Sequence, residues 1–102
     1  MEEKLAQRYE ERGDTLSGTT SANKPYEVGV EKGLSRGRYA RYATVMNAPN
    51  STGYLYFGRE HQLGAHYLIP GQGYTFDYVD VFGIILQDNG TACTWTIDYT
   101  GP

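Results

Sequence analysis

The sequence has a single cysteine, Cys93, and no long apolar run. One cysteine cannot form an intrachain disulfide, so the small secreted scaffolds that depend on disulfides are excluded. No stretch approaches the length of a membrane-spanning helix, and no apolar segment of the signal-peptide kind follows residues 1–4. We therefore expect a protein that is made and kept in a reducing cytoplasm and does not enter membranes, or that leaves the cell without a cleaved signal.

Basic residues are also few, and they are not segregated from acidic ones. Nine Lys and Arg stand against 12 Asp and Glu, which gives a net charge of -3. Eight of the basic residues lie in residues 1–45, but seven of the acidic residues lie there too. Because nucleic-acid binding needs a concentrated basic face, this distribution predicts no nucleic-acid partner.

Good helix formers are scarce after residue 12, while glycine and tyrosine are abundant. The 102 residues include 13 Gly and 10 Tyr, and 39% of the chain is apolar. This length suits one domain with a modest core. Tyrosine can fill the edge of a core while its hydroxyl stays in water, so the composition favours a thin sheet protein or a contact surface.

Seven short segments have the composition or the period of strands. With turn formers between them at roughly 8–12 residue spacing, they predict an antiparallel all-β domain. We expect a β-sandwich, jelly-roll-like, of six to eight short strands, with a small barrel as the alternative. The segments are residues 26–31, 38–46, 54–57, 65–69, 74–79, 81–87 and 93–100.

Two turns are marked by their residues. Pro70 and Gly71 supply the fixed φ and the backbone freedom of a tight turn. The tripeptide Asp88-Asn89-Gly90 is a strong hairpin signal and predicts that residues 81–87 and 93–100 pair with each other.

The alternation of side chains predicts which residues face the core. Residues 93–100 alternate without error and predict inward Cys93, Trp95, Ile97 and Tyr99. The same period places Tyr74, Phe76 and Tyr78 together on one face. Residues 81–87 are the most hydrophobic run and predict a central strand, whereas residues 38–46 have no clean apolar face and predict an edge or interface strand.

The first quarter of the chain differs from the rest. Residues 1–12 favour a short helix in which Leu5 and Tyr9 form one apolar pair, and such a helix needs a surface to lie on. Residues 13–25 are small and polar, like a linker. We therefore divide the chain into an N-terminal arm, 1–24, and a β-sandwich domain, 25–102. An arm that lies across a neighbouring subunit is favoured over a free tail.

Candidate catalytic and metal-binding residues are sparse. Glu60, His61 and His66 are close in sequence, but the two histidines fall on opposite faces of a continuous strand, so a solvated loop is favoured over a metal site. Cys93 is interpreted as a small core residue. The tripeptide Arg12-Gly13-Asp14 is short enough to arise by chance. Since no nucleophile or acid-base set can be assembled, we predict a protein that is not an enzyme and has no cofactor.

One basic cluster remains as a candidate binding site. It consists of Arg36, Arg38 and Arg41, flanked by Tyr39 and Tyr42. Arginines interleaved with aromatic residues can bind single-stranded nucleic acid, but the same guanidinium groups pair with carboxylates of a protein neighbour. Protein contact or a solvated face is favoured over nucleic acid.

The order of features in residues 39–101 resembles a group of small all-β structural proteins of tailed-phage virions. The resemblance is carried by Tyr56-Phe57-Gly58, by the turn Leu68-Ile69-Pro70-Gly71 with the strand that follows it, by residues 82–86 and by the final Tyr99-Thr100-Gly101. It implies a capsid decoration (cement) protein or a small tail or head-tail piece, with no active site. It also implies the major capsid protein as the partner, and trimers as the usual geometry.

The sequence thus predicts a phage capsid decoration protein, located in the virion, which stabilises the shell across capsomer joints. We expect its partner-binding residues in the arm and the basic cluster, namely Leu5, Tyr9, Leu16, Arg36, Arg38 and Arg41. The alternative is a tail, fibre or head-tail connector protein that binds a receptor or glycan through tyrosines such as Tyr54 and Tyr67. No metal site is expected, and a small-molecule ligand is disfavoured.

Overall fold

The computed structural model describes residues 14–100 and contains eight strands. The strands are β1 (Asp14–Thr19), β2 (Tyr26–Glu27), β3 (Tyr39–Asn47), β4 (Leu55–Arg59), β5 (Gln62–Leu68), β6 (Gly73–Asp80), β7 (Ile85–Asp88) and β8 (Thr94–Tyr99). A short helix, α1 (Val28–Glu31), follows β2, and a 3₁₀ turn (Val81–Gly83) precedes β7. No helix within residues 14–100 is long and apolar enough to cross a membrane.

The strands form two four-stranded antiparallel sheets. Sheet A has the order β1-β8-β3-β6 and sheet B the order β2-β7-β4-β5. The pairing is nested, since β1 pairs with β8, β2 with β7, β3 with β6 and β4 with β5. A chain that doubles back on itself and rolls up in this way forms a jelly roll. The predicted antiparallel β-sandwich is therefore confirmed.

The core lies between the two sheets and is centred on β8. Trp95 and Ile97 are fully buried, and Cys93 and Tyr99 point to the same side, as their alternation predicts. Valine, leucine and isoleucine side chains from both sheets complete the cluster. Large side chains of this kind each contribute about 1.5–3 kcal/mol when buried, so this cluster is the main source of stability.

Strand β3 lies in the interior of its sheet, so the predicted edge position is wrong. It pairs with β8 on one side and β6 on the other. Its alternation slips once, because Ala40 and Ala43 are both buried while Arg41 and Tyr42 between them are exposed. Because of this shift, alternate residues of β3 are not uniformly apolar, and the sequence pattern did not indicate an interior strand.

The slip in β3 is matched in β6. Phe76 and Val79 are buried, whereas Asp77 and Tyr78 between them are exposed. Tyr78 has a φ of 48°, a left-handed conformation that shifts the inward-outward alternation of β6 by one residue. The prediction that Tyr78 shares the face of Phe76 is therefore wrong, and Tyr74 is also largely exposed at 47%.

The predicted hairpin at Asp88-Asn89-Gly90 is wrong as well. Strand β7 belongs to sheet B and β8 to sheet A, so the segment crosses between the sheets. The Asp88 carboxylate accepts hydrogen bonds from the backbone amides of Asn23 and Gly90, which holds this crossing against the crossing from β1 to β2. A local Asp-Asn-Gly signal specifies a reversal of the chain but not its partner strand.

Two tight turns that join neighbouring elements differ in how clearly the sequence marks them. At Pro70-Gly71 the Gln72 amide donates to the Ile69 carbonyl and Gly71 has a φ of 90°, which is the predicted turn. Strands β4 and β5 are joined by Glu60 and His61, with φ of 55° and 60°. These angles suit a two-residue hairpin, but neither residue is a typical turn former.

The beginning of the described chain is part of the sheet. Residues 14–19, which the sequence places in the arm, pair along their whole length with β8 as an edge strand. Leu16 packs against the core and the alternate residues are exposed. An edge strand can consist of small polar residues with one apolar side chain. The same composition is typical of a linker, which is why the sequence placed these residues in the arm. The helix predicted over residues 1–12 lies outside the described residues.

Residues 26–31, predicted as one strand, divide into two elements. Tyr26 and Glu27 pair with β7, and the chain then turns into helix α1. Val28 is fully buried while Val30 is 63% exposed, so the two valines do not share a face. Residues 81–87 also divide, into the 3₁₀ turn and β7, although β7 is an interior strand as predicted.

Candidate interaction surfaces

The predicted partner-binding residues have different surroundings. Leu5 and Tyr9 lie outside the described residues. Leu16 is half-buried on β1, where it contacts the core. The arginines lie in and before β3, where Arg36 lies against Phe82, Arg38 lies against Tyr99, and Arg41 is exposed. Residues 14–100 therefore do not gather these candidates into one site.

Two of the arginines rest on aromatic rings. The guanidinium of Arg36 lies 5.7 Å from the ring centre of Phe82. Arg38 lies 5.9 Å from the ring centre of Tyr99 and donates a hydrogen bond of 3.2 Å to its hydroxyl. Among the described residues no arginine has a carboxylate oxygen within 4.0 Å, so these guanidinium groups are open to a partner's carboxylate.

Arg41 is part of an exposed aromatic surface on the β3–β6 pair. We call this surface the β3–β6 tyrosine surface and define it as Tyr39, Arg41, Tyr42 and Tyr78. The rings of Tyr39 and Tyr78 stack with centres 5.4 Å apart and planes 15° from parallel. The three tyrosines are 46%, 50% and 62% exposed. Tyrosine and arginine are enriched at protein interfaces, which makes this surface a candidate docking site.

The backbone of Tyr78 is strained, and two contacts hold it. A non-glycine residue with positive φ costs of order 1–3 kcal/mol and persists only where its surroundings fix it. Arg59 donates a hydrogen bond of 2.9 Å to the Tyr78 carbonyl, and Tyr39 stacks on the ring. The strain presents the ring of Tyr78 to solvent instead of to the core.

A second aromatic group lies at the edge of sheet B. Tyr54 and Tyr67, named as glycan candidates from the sequence, stack with centres 4.9 Å apart and planes 8° from parallel. Tyr56, which was not among the glycan candidates, contacts Tyr67 from the facing position on β4. We call these three residues the sheet-B tyrosine stack.

A cleft of about 610 Å³ opens between β5 of sheet B and β6 of sheet A. Its apolar wall contains Phe57, Leu68, Tyr74 and Phe76, and its polar wall contains Arg59, Glu60, Gln62 and His66. We call it the inter-sheet cleft. The sequence could not indicate this cleft for two reasons. The pattern predicts Tyr74 and Phe76 as ordinary core residues, and the two strands that form the cleft are not neighbours in a sheet.

The histidines and the cysteine are placed apart. His61 contacts Glu27 through Nδ1 at 2.6 Å in the β4–β5 turn, whereas His66 lines the inter-sheet cleft. Cys93 is buried, and burial together with the charge of Asp88 raises the pKa of its thiol. Within residues 14–100 no group of three or more His, Cys, Asp or Glu side chains is arranged to hold a metal ion.

Comparison with solved structures identifies the fold. A de novo designed double-stranded β-helix matches with a TM-score of 0.54 at 16% identity, covering 84% of this chain and 97% of that one. A cupin domain from Bordetella pertussis matches with a TM-score of 0.56 at 13% identity, covering 90% and 84%. The cupin domain of an XRE-family transcriptional regulator from Enterobacter cloacae matches with a TM-score of 0.58 at 12% identity, covering 92% and 86%.

The TM-scores and coverage support a shared double-stranded β-helix fold, and at identities of 12–16% the function of the neighbours does not transfer with it. No protein-family model matches the chain, and no curated protein matches it. Function therefore has to be inferred from the surfaces that this chain itself presents.

Proposed function

We propose that the protein is a structural subunit of a tailed-phage particle that binds the major capsid protein and decorates the shell. The observation that carries this proposal is the β3–β6 tyrosine surface, where the rings of Tyr39 and Tyr78 stack in solvent and Arg41 and Tyr42 are exposed on the same pair of strands. The resemblance of residues 39–101 to small phage virion proteins adds to it. The jelly roll is a fold that viral capsid proteins use, which is compatible with this role.

The rest of sheet A supports docking through this surface. Its outer face is polar and partly satisfied within the chain, since Thr15 donates to Asp98 and the hydroxyls of Thr44 and Thr75 hydrogen bond at 2.8 Å. A face of this kind gains little from burial, whereas exposed tyrosines gain area at low entropy cost. Arg41 then offers a charge to a carboxylate on the shell.

The arm completes the proposed mechanism. Residues 1–13 precede an edge strand, so they can extend to a neighbouring subunit, where Leu5 and Tyr9 supply apolar contacts. Two attachment points on one chain increase affinity through effective concentration. We propose trimers on the virion surface as the assembly, because three arms around one axis would link three capsomers.

The test uses particles of the phage that encodes the protein, stripped of it or produced without it. Tyr78→Gly keeps the backbone conformation and removes the ring, and Tyr39→Ser removes its stacking partner. We expect each variant to bind the shell at least tenfold more weakly, in line with hot-spot losses above about 1.4 kcal/mol. The Tyr78→Gly variant should unfold no more easily than the wild type, since glycine relieves the strain.

Tyr54→Ser is the matched control, because it removes an exposed stacked tyrosine from the other sheet. It should decorate shells like the wild type. If both β3–β6 variants also bind like the wild type, the proposed docking surface is wrong. A chain that lacks residues 1–12 tests the arm separately through the heat resistance of decorated particles.

A tail, fibre or head-tail connector protein is the second candidate. It is favoured by the sheet-B tyrosine stack, which presents two parallel rings on a different sheet from the proposed shell contact. Quantitative mass spectrometry of purified particles separates the two roles. Copies comparable in number to capsid subunits support decoration, and a handful of copies support the tail or connector.

A further inference from the structure

The inter-sheet cleft is a product of the fold itself. Strand β5 pairs only with β4, and β6 pairs only with β3, so each is an edge of its sheet. Six of the seven residues of β5 are exposed, and only Leu68 reaches the core. The two edges do not close on each other, and the resulting space of about 610 Å³ lies within the usual range of small-molecule sites, about 300–1,000 Å³.

The apolar wall of the cleft is rigid and aromatic. Phe57 lies 4.9 Å from Tyr74 and 5.9 Å from Phe76, and Tyr74 lies 5.1 Å from Phe76, measured between ring centres. The two phenylalanines are buried, whereas Tyr74 is 47% exposed. The ring of Tyr74 is therefore fixed by its neighbours and still presents part of its surface to the cleft.

The polar wall carries hydrogen-bonding groups that nothing nearby uses. Within residues 14–100 the side chains of Glu60, Gln62 and His66 make no hydrogen bond to protein. Together they offer a carboxylate, an amide and an imidazole, which include both donors and acceptors. Arg59 differs, because it is held by its hydrogen bond to the Tyr78 carbonyl and lies 5.9 Å from the ring centre of Phe76.

These two walls define the chemistry of a ligand. It needs an apolar face to lie on an aromatic ring, and hydroxyl groups around its edge that both donate and accept hydrogen bonds. The charges of Arg59 and Glu60 have opposite sign, so a neutral ligand fits better than an ionic one. An apolar peptide side chain would cover the aromatic wall but leave the polar groups unmatched.

We propose that the inter-sheet cleft is a carbohydrate-binding site that takes a neutral sugar ring against Tyr74. Gln62, Glu60 and His66 hydrogen bond the hydroxyls of the ring, and the remaining volume accommodates a neighbouring sugar unit. No residue of the β3–β6 tyrosine surface lines this site, whereas Tyr67 of the sheet-B tyrosine stack lies at its margin. It does not depend on whether the protein sits on the shell or on the tail.

The test has two steps with the full chain. The labelled protein is first applied to an array of bacterial and eukaryotic glycans. The best-bound neutral oligosaccharide is then titrated into isotope-labelled protein and followed by amide resonances. Gly58 and Gly64 line the cleft and should shift, whereas Gly90, on the crossing between the sheets, should not.

Variants locate the site. Tyr74→Ala and His66→Ala should each weaken binding at least tenfold, and the His66 variant alters an exposed side chain that has no bond to lose. Tyr42→Ser is the control and should bind like the wild type, because Tyr42 is an exposed tyrosine that does not line the cleft. Absence of neutral glycans among the array hits overturns the proposal. Binding that survives both cleft variants, or shifts confined to residues outside the cleft, overturns it too.

The same variants separate this proposal from the decoration role. The His66→Ala protein should still bind shells as tightly as the wild type, because His66 lies outside the β3–β6 tyrosine surface. Loss of sugar binding with retained shell binding supports two independent sites. Loss of shell binding in this variant contradicts the proposal that the two sites are independent. If the wild type itself does not bind shells, the decoration role is wrong and the glycan titration alone decides the sugar site.

Discussion

Replacing Asp88 by alanine should lower the free energy of unfolding by about 3 kcal/mol, because this carboxylate joins both crossings between the sheets. Asp88 is 2% exposed and accepts hydrogen bonds from the Thr20 hydroxyl at 2.5 Å and the amides of Asn23 and Gly90 at 2.8 and 3.0 Å. The Thr20 hydroxyl also accepts from the Cys93 amide at 2.9 Å. One side chain thus holds the connection from β1 to β2 against the connection from β7 to β8.

The size of this loss in the free energy of unfolding depends on which groups lose a hydrogen-bond partner when alanine replaces Asp88. Hydrogen bonds to a charged group contribute about 1.5–3 kcal/mol each, but removing the carboxylate also removes the cost of burying it. Thr20 is 4% exposed, and its hydroxyl loses this acceptor and keeps only the Cys93 carbonyl at 3.5 Å, at a cost of about 1–3 kcal/mol. The amides of Asn23 and Gly90 are only part-buried and can turn partly to water. A net loss of about 3 kcal/mol lowers Tm by roughly 12–24 °C in a domain of this size.

The pH dependence gives a second signature. Burial alone would raise the pKa of Asp88, but the hydrogen bonds from Thr20, Asn23 and Gly90 outweigh it and leave the pKa lowered. A carboxyl with a lowered pKa in the folded state contributes stability that is fully present above its unfolded pKa of about 3.9. That contribution is lost as the pH falls through the folded pKa. The difference between wild type and Asp88→Ala should be constant from about pH 7 to 5 and shrink below pH 4.

Urea unfolding, followed by Trp95 fluorescence at several pH values, measures both effects. Asp98→Ala is the matched control, because Asp98 is exposed and accepts one hydrogen bond, from Thr15. It should change stability by at most about 0.5 kcal/mol. The reasoning is refuted if Asp88→Ala is as stable as Asp98→Ala, or if the difference already shrinks between pH 7 and pH 5.

Two further predictions concern backbone approach and burial. Gly58→Ala should cost about 3 kcal/mol or prevent folding, because the added Cβ would lie 1.9 Å from the Gln62 carbonyl oxygen. Gly71 has a φ of 90° but open space around it, so Gly71→Ala should lower the free energy of unfolding by about 1–2 kcal/mol in the same urea titrations. Equal losses for the two variants would contradict the clash at Gly58. Cys93 should react with a thiol reagent only as fast as the chain opens, since burial and the charge of Asp88 raise its pKa. Rapid labelling under native conditions, at a rate insensitive to added urea, would contradict this.

Where one residue decides the local structure, the sequence predicted it well. Pro70 and Gly71 fix a turn whatever the rest of the chain does. In β8, side chains that alternate without error leave one register that buries Trp95 and Ile97. Both features depend on sequence neighbours, so no knowledge of the partner strands was needed.

Pairing between distant strands could not be predicted in the same way. The Asp88-Asn89-Gly90 signal is real, but whether it closes a hairpin or crosses between sheets depends on Thr20 and Asn23, more than 60 residues away. The inter-sheet cleft depends on β5 and β6, which are edges of different sheets. A β domain is dominated by such non-local contacts, and periodicity within a strand carries no information about them.

The candidate docking surface was hidden for a more specific reason. Counting inward positions back from Ala43 by twos would bury Arg41 and Tyr39, and counting forward from Phe76 would bury Tyr78. The structure instead buries Ala40 and Val79, which are paired with each other across the two strands. A slip in only one strand would oppose a buried residue to an exposed one, so both strands slip at the same level.

Because both strands shift by one residue, the smaller residues Ala40 and Val79 are buried and the large aromatic residues Tyr39 and Tyr78 are exposed. Burying Ala40 and Val79 removes less apolar area from water than burying Tyr39 and Tyr78 would, and the φ of 48° at Tyr78 adds strain. Keeping the charge of Arg41 in water offsets part of this loss, but the stacked rings of Tyr39 and Tyr78 stay exposed in the isolated chain. A partner that covers the stacked rings recovers the area on binding, and this is the physical argument for a docking function at the β3–β6 tyrosine surface.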